Sequence, residues 1–487
     1  MKKVITVCLL LISMTLSAQD NVFLGRGFWG PSVTIQDVKT KIAEGNNPAQ
    51  LNENSFDPVV YAILQSAPND VIKYIQSLDG NDVNKLTHDG RTYIFWAAYI
   101  GNDAIMEYFI SKGAKTDILD NHGYTPLNFA ANAGQTNIKV YELCIANGAN
   151  LKKDLDHNGA NALLLAAPTN ITLTNYFVSK GLSLKSVDNN GNGIFNYVAK
   201  TGDIELLKGL MEKGLKGTDQ AFIFASQGTR GKTNGLPVYN YLEGIGLNPN
   251  TNSPDDVSPL HNVAARSKDL EVLNYFIEKG NSVNAADKSG NTPFLNAVRQ
   301  NNIEVISVLL PQVKDINYAN KKGETALMLA IQNNTADVVK LILSKDAKID
   351  LVDTYGNNLA YYLIQSFNPS KEKDFTAKLQ LLETKGFEFT TPQKDGNTLF
   401  HLALDKNNVD FLKQINQFDV DVNTANNEGY TPLHLAAMKA KDNTLLKYLI
   451  AIGANKKATT GFEETAFDLA SENEILKNKK IALDFLK

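Results

Sequence analysis

An all-α solenoid of about thirteen stacked helix-turn-helix units, joined by β-hairpin-like turn fingers, is the architecture predicted for this chain. Three observations predict it. GYTPLNFAANAG at Gly123–Gly134 returns as GYTPLHLAAMKA at Gly429–Ala440. Weaker copies fall between them at intervals of about 33 residues. Most copies also carry the same signals in the same order: a polar turn with glycine, a helix-capping residue, then two short apolar runs at helical spacing. Each unit of such a chain is stabilised by its neighbours, and function comes from the long surface that stacking creates.

The chain opens on a different pattern. Lys2 and Lys3 precede an apolar stretch, Val4–Leu16, followed by Ser17, Ala18 and Gln19. A positive start, an apolar run too short to span a bilayer and a small-residue exit read as a signal peptide over residues 1–18. Cleavage fits after Ala18, or after Ser17 with Thr15 and Ser17 at the recognition positions. An uncleaved anchor is the alternative. Export to the periplasm or beyond is therefore expected, with no membrane span in the mature chain. Of the two cysteines, Cys8 lies in this stretch, which leaves Cys144 alone and no intramolecular disulfide. Cys144 falls where the second helix of a unit expects Leu, so it reads as core filler.

Residues 19–52 form an extension with a capping helix near Val38–Glu44. The front repeat segment, residues 53–217, follows. Its units open with Asp-x-x-Gly turns such as Asp120–Gly123, in which glycine tolerates positive φ and Asp bonds its own backbone. Thr125-Pro126 and its counterparts then start a helix: the hydroxyl caps, and proline is preorganised at the first helical position. A second helix ends in a glycine suited to a left-handed cap, as at Gly113 and Gly148. Residues 218–256 are the least regular unit, with GTRGKTNGLP at Gly228–Pro237 as an enlarged loop, and the loosest joint of the array is expected there. The rear segment, residues 257–487, repeats the pattern, is enlarged at Ser366–Ala377, and closes on a lysine-rich helix (Lys477, Lys479, Lys480) that suits a solvent-facing cap.

Together these residues resemble the ankyrin-repeat family over nearly all of the mature chain. The threonine-like capping position gives the register: 57, 92, 125, 161, 193, 220, 258, 292, 325, 358, 398, 431 and 465. The resemblance implies a binding surface built from the turn fingers and the inner faces of the first helices. It also implies that His261, His401 and His434, fourth in their Thr-Pro-Leu-His-like segments, bond between neighbouring loops.

The remaining residues carry little chemistry. SQGTRGKT at Ser226–Thr233 brushes against a phosphate loop, but it lacks the first glycine and follows a helix rather than a strand. His88, His122 and His157 sit on three successive turns, roughly 10 Å apart by repeat stacking, too far to share one zinc. They are candidates for pH sensing or partner contact. No nucleophile elbow, zinc motif or paired acid–base carboxylates appear, so an enzyme, a cofactor and a metal are not expected. A net charge of −4, with no basic block, argues against nucleic acid as ligand.

A protein partner and a monomeric, noncatalytic scaffold of the periplasm or cell envelope are the expectation. The alternatives are a secreted effector that binds a host or competitor protein, and an enzyme with its site in residues 217–256. Residues just after the turn glycines, with their neighbours, are the candidate contacts: Arg91, His122, Tyr124, Lys288, Lys321, Tyr355 and Tyr430. Tyrosine and arginine anchor interfaces because they bury much area with a polar handle. Charge drifts along the fingers, from acidic at Asp89, Asp120 and Asp156 to basic at Lys288, Lys321 and Lys322.

Overall fold

A computed structural model describes residues 21–300 and 302–487, so the predicted signal peptide lies outside the described residues. All regular elements among the described residues are helical. At each of the thirteen register positions a first helix begins on the very next residue, from Pro58–Leu64 to Ala466–Glu472. The cause is local. Thr125 accepts from Asn128 N at 3.2 Å, Asp57 from Val60 N at 2.9 Å and Asn161 from Leu164 N at 3.1 Å. Each such cap contributes about 1 kcal/mol and fixes where the helix starts.

Cα packing divides the chain into two compact units, one ending at Ile194 and the other running Phe195–Lys487. In the first, the extension folds as two short 3-10 turns and a helix at Ile35–Ala43, which starts earlier than expected because Thr34 and Asp37 form a reciprocal capping box. Phe23 and Trp29 are buried, and the indole N–H donates to the Phe23 carbonyl at 2.8 Å. The first repeat lacks a turn glycine, and Ser55 takes the left-handed conformation instead, at φ 59°. Asp57 is buried with Lys85 Nζ at 2.9 Å and the Tyr93 hydroxyl at 2.6 Å, which ties this repeat to the next. Tyr141, Cys144 and Phe177 fill the space between second helices.

In the second unit, residues 218–256 build two helices joined by a short loop. Helices Ala221–Gln227 and Leu236–Gly244 bury Phe222 and Tyr239, which meet Phe276 of the next repeat edge-on. Their connecting loop is a closed turn. Thr229 N donates to the Lys232 carbonyl at 3.1 Å and Lys232 N to the Thr229 carbonyl at 3.2 Å. Arg266 donates to the Gln227 and Thr229 carbonyls from outside. The enlargement at 366–377 builds helix instead of loop: Glu372–Thr384 is thirteen residues long, and Phe375 packs edge-on against Phe411.

The fingers are not hairpins of paired strands. Single antiparallel bridges stand at the bases of three of them: Val187 with Gly193, Ala319 with Thr325 and Thr459 with Thr465. What shapes a finger is its first polar residue. Asp120 Oδ1 accepts from His122 N and Tyr124 N, both at 2.9 Å, and Asp120 N donates to the Tyr124 carbonyl. Asp156, Asp188, Asp287, Asp353 and, with amides, Asn320 and Asn426 repeat this closure. Successive fingers are joined by a backbone bond, Asn121 N to the Asp89 carbonyl in the first unit and Thr354 N to the Lys322 carbonyl in the second, each 2.9 Å.

Candidate partner-binding surface

The residues after three of the front turn glycines, Arg91, Ala160 and Asn192, are buried, which corrects two sequence expectations. Arg91 is 7% exposed. Its Nε donates to Asp120 Oδ2 at 2.8 Å, its Nη1 to Asp89 Oδ2 at 3.0 Å, and its guanidinium lies 4.2 Å from the Phe129 ring centroid. It is a clamp between repeats and not an exposed anchor. Asp120 and Asp156 are buried in their own turns, so they add no acidic surface to the front fingers. Ala160 and Asn192, at the same position as Arg91, are buried too.

Tyr124 is half-buried; burial first, then Asp156 and Asp120, push its phenol up to about 12. Tyr430 is half-buried as well, and its carbonyl accepts from His401 Nε2 at 2.9 Å. The other candidates lie open. Tyr355 is 75% exposed, Lys321 is exposed, and exposed Lys288 has Asp255 Oδ1 3.7 Å from its Nζ.

His122 is exposed, with Nε2 3.3 Å from Asp89 Oδ2. His88 stacks on Phe56 with centroids 4.4 Å apart and brings its own Nε2 to 3.5 Å from the same oxygen. Burial raises the Asp89 carboxyl, but Arg91, His88 and His122 outweigh it and hold the group below its ordinary range. His157 covers the finger glycine Gly123. These imidazoles do not converge on a metal: among the described residues no group of three histidine, cysteine, aspartate or glutamate side chains could hold one. His261, His401 and His434 do bond between loops. Each accepts at Nδ1 from the backbone N–H of its capping residue and donates from Nε2 to the Asn291, Tyr430 or Ala458 carbonyl.

One feature was missed in the sequence. Six residues before the capping position stand Leu51, Leu86, Leu119, Leu155 and Val187, and all five are 39–58% exposed. They occupy one position of five consecutive repeats, so they form an aliphatic stripe with a step of roughly 10 Å. A lone exposed leucine means little, whereas a contiguous apolar patch on a soluble protein marks an interaction site. The same position carries Gly214, Asn252, Ala286, Ala319, Pro392, Ala425 and Thr459 in the second unit, with Val352 the exposed aliphatic exception. Val352 lines a cavity of about 490 Å³ between the loops at 349–358 and 386–394.

The family model described as ankyrin repeats in three copies matches residues 59–151, 234–320, 260–353 and 369–460. The chain is 22% identical over 447 residues to the human transient receptor potential cation channel subfamily A member 1, covering 90% of this chain and 34% of that channel. It is 29% identical over 121 residues to the ankyrin repeat protein OPG189 of Variola virus, 24% of this chain and 21% of that one. It is 27% identical over 164 residues to the palmitoyltransferase AKR1 of Saccharomyces cerevisiae, 34% of this chain and 20% of the enzyme. The chain thus spans about a third or less of the length of these curated relatives. Among solved structures, the ankyrin repeat domain of Bcl-3 matches with a TM-score of 0.35 at 19% identity, covering 46% of this chain and 98% of that one. No helix of the described residues is long and apolar enough to cross a membrane.

Proposed function

We propose a function from one premise: this chain belongs to the ankyrin-repeat family. Its repeats make a protein–protein interaction scaffold, and the finer reading is a noncatalytic, monomeric scaffold that holds a protein partner in the periplasm or cell envelope. The stripe of Leu51, Leu86, Leu119, Leu155 and Val187 carries this reading, because aliphatic side chains left 39–58% exposed at one position of five consecutive repeats offer apolar area for a partner to cover. The open side chains of Tyr355, Lys288 and Lys321 extend the available contacts in the second unit. The envelope location rests on the leader pattern in residues 1–18.

Cross-linking in envelope extracts, followed by co-purification, tests the reading. Wild-type chain is expected to recover a discrete protein, and Leu86→Ser with Leu119→Ser to lose most of it while folding normally, since both side chains are already exposed. Capture of nothing by the wild type sinks the proposal. Fractionation of the full chain tests the location: retention in the periplasm supports the scaffold, and recovery from the medium or from target cells moves the reading to a secreted effector.

A further inference from the structure

Within each repeat a short connector joins the first helix to the second. In the first unit the connectors at 65–68, 101–102, 133–137 and 167–172 carry no charged residue. The next three repeats differ. Lys200 opens one connector, Arg230 and Lys232 stand in the enlarged one at 228–235, and Arg266 and Lys268 belong to the third. The two carboxylates among them, Asp203 and Asp269, cap their own second helices, accepting from Leu206 N and Glu271 N, each at 3.0 Å.

The fold brings these three connectors into contact. Asn234, buried at the end of the enlarged one, donates from Nδ2 to the Lys200 carbonyl at 3.1 Å and to the Ala225 carbonyl at 2.9 Å. From the other side Arg266 donates through Nη2 to the Thr229 carbonyl at 3.1 Å, and through Nη1 to the Gln227 carbonyl. Between these braces the chain makes a tight turn that needs its glycine, because a Cβ on Gly228, at φ 61°, would collide with the Lys232 carbonyl. Arg230, Lys232, Arg266 and Lys268 are all exposed. Among the described residues Arg230, Lys232 and Lys268 make no ion pair or side-chain hydrogen bond, and Arg266 bonds only carbonyls. Like charges on touching loops repel one another, and an anion seated among them relieves the repulsion.

We propose that this face of the second unit binds an acidic segment of the partner protein, with aspartate or glutamate carboxylates lying across the connectors at Lys200, Arg230–Lys232 and Arg266–Lys268. Two independent observations carry it. The cations gather in repeats whose connectors touch, and the connector that bears two of them is enlarged into a braced turn. A guanidinium offers a carboxylate two parallel N–H groups, and the lysines add charge without demanding one direction of approach. Nucleic acid fits less well, since its bases need exposed rings to stack on, and the rings here, Tyr197 and Phe224, have Lys200 Nζ over them at 5.8 and 5.1 Å. The proposal rests on the protein-binding reading above and gives the chemistry of one stretch of the partner.

The test titrates the full chain, by fluorescence anisotropy, with labelled acetyl-Gly-Asp-Glu-Glu-Asp-Glu-Gly-amide and with its Asn/Gln counterpart. At about 50 mM salt the acidic peptide is expected to bind at least about tenfold more tightly, and at about 300 mM the preference shrinks several-fold. Arg230→Gln, Lys232→Gln and Lys268→Gln together abolish the preference, with a thermal midpoint no lower than wild type because repulsion has been removed. Arg266 is kept, since it braces the turn. Lys477→Gln, Lys479→Gln and Lys480→Gln remove the same charge elsewhere and leave the preference intact. Equal affinity for the two peptides, equal loss in both triple variants, a fallen midpoint in the first, or tighter binding of an oligothymidylate than of the acidic peptide each overturns the proposal. Partner capture in envelope extracts separates the two readings: a partner still caught by a chain that does not discriminate the peptides overturns this proposal alone.

Discussion

Arg91→Ala is expected to destabilise the first compact unit by about 3–5 kcal/mol, the cost of breaking a buried ion pair by removing one partner. The magnitude follows from which carboxylate is stranded. Asp89 keeps a side-chain exposure of 31% and can be solvated, so its loss of Arg91 costs little. The Asp120 side chain is fully buried, and its Oδ2 has Arg91 as its ion-pair partner while Oδ1 is committed to His122 N and Tyr124 N. Removing the guanidinium leaves the Asp120 carboxylate without its counter-charge, and it strips a cation from the Phe129 face, worth about 0.5–2 kcal/mol more. Arg91→Lys keeps the charge but not the two-pronged geometry, and should fall between wild type and alanine.

The companion Arg91→Ala with Asp120→Asn isolates the charge. The amide still accepts the two turn N–H groups through its oxygen, and what remains is an incompletely paired neutral group, costing about 1–3 kcal/mol. The double variant is therefore expected to be more stable than Arg91→Ala alone. Hydrogen exchange by segment is the right assay, since repeats unfold locally and a single midpoint blurs the two units. Protection should drop around residues 87–132 and stay unchanged beyond residue 400. A loss below about 1 kcal/mol, with partner capture abolished, would refute the clamp and return Arg91 to the role of an exposed anchor.

Burial lowers the proton affinity of His261 and His401 below the ordinary value of 6.5, against the pull of the Asn291 and Tyr430 carbonyls. The unfolded chain then holds more protons below pH ~6.5, so stability is complete above that value and falls as pH drops through it; urea midpoints at pH 7.5 and 5.5 should differ, and differ less in His261→Gln with His401→Gln. Gly323→Ala should cost more than Gly453→Ala. Both glycines have positive φ, but a Cβ on Gly323 meets Thr354 N at 2.6 Å in the bond that joins two fingers, whereas Gly453 faces open space; thermal denaturation of the two variants checks it, and equal losses of about 1–2 kcal/mol would mean that strain alone matters. Cys144 is buried, and burial, with Asp154 second, pushes its thiol up to about 12. It should resist alkylation at pH 8 until urea unfolds the chain, as read by mass spectrometry of its peptide.

The helix register was fully legible, because the chemistry that sets it is local. A capping side chain reaches only two or three residues ahead, so Thr125, Ser258 or Thr431 announces its helix whatever the rest of the molecule does. Residues 218–256 were less legible for the opposite reason. GTRGKTNGLP looks like a loose loop in the sequence, and the groups that close it, Arg266 and the reciprocal bonds of Thr229 and Lys232, are either distant or of the backbone. Asp120 shows the same limit in electrostatic form. Read along the chain it is a surface acid; in the fold it is the acceptor that shapes a finger, and its charge is absorbed by Arg91.

The candidate surface depends on direction, which a one-dimensional pattern conveys poorly. Arg91 and Tyr355 are both long polar-tipped residues beside a turn glycine, yet one follows its glycine and is buried while the other precedes it and is open. Ala160 and Asn192, small or amide-bearing at the position of Arg91, are buried with it, whereas Tyr124 and Tyr430 at the same position are half-buried. Leu86 and Leu119 show the converse. A leucine in a repeat reads as core, and only its phase, six residues before the cap and outside both helices, places it on the surface.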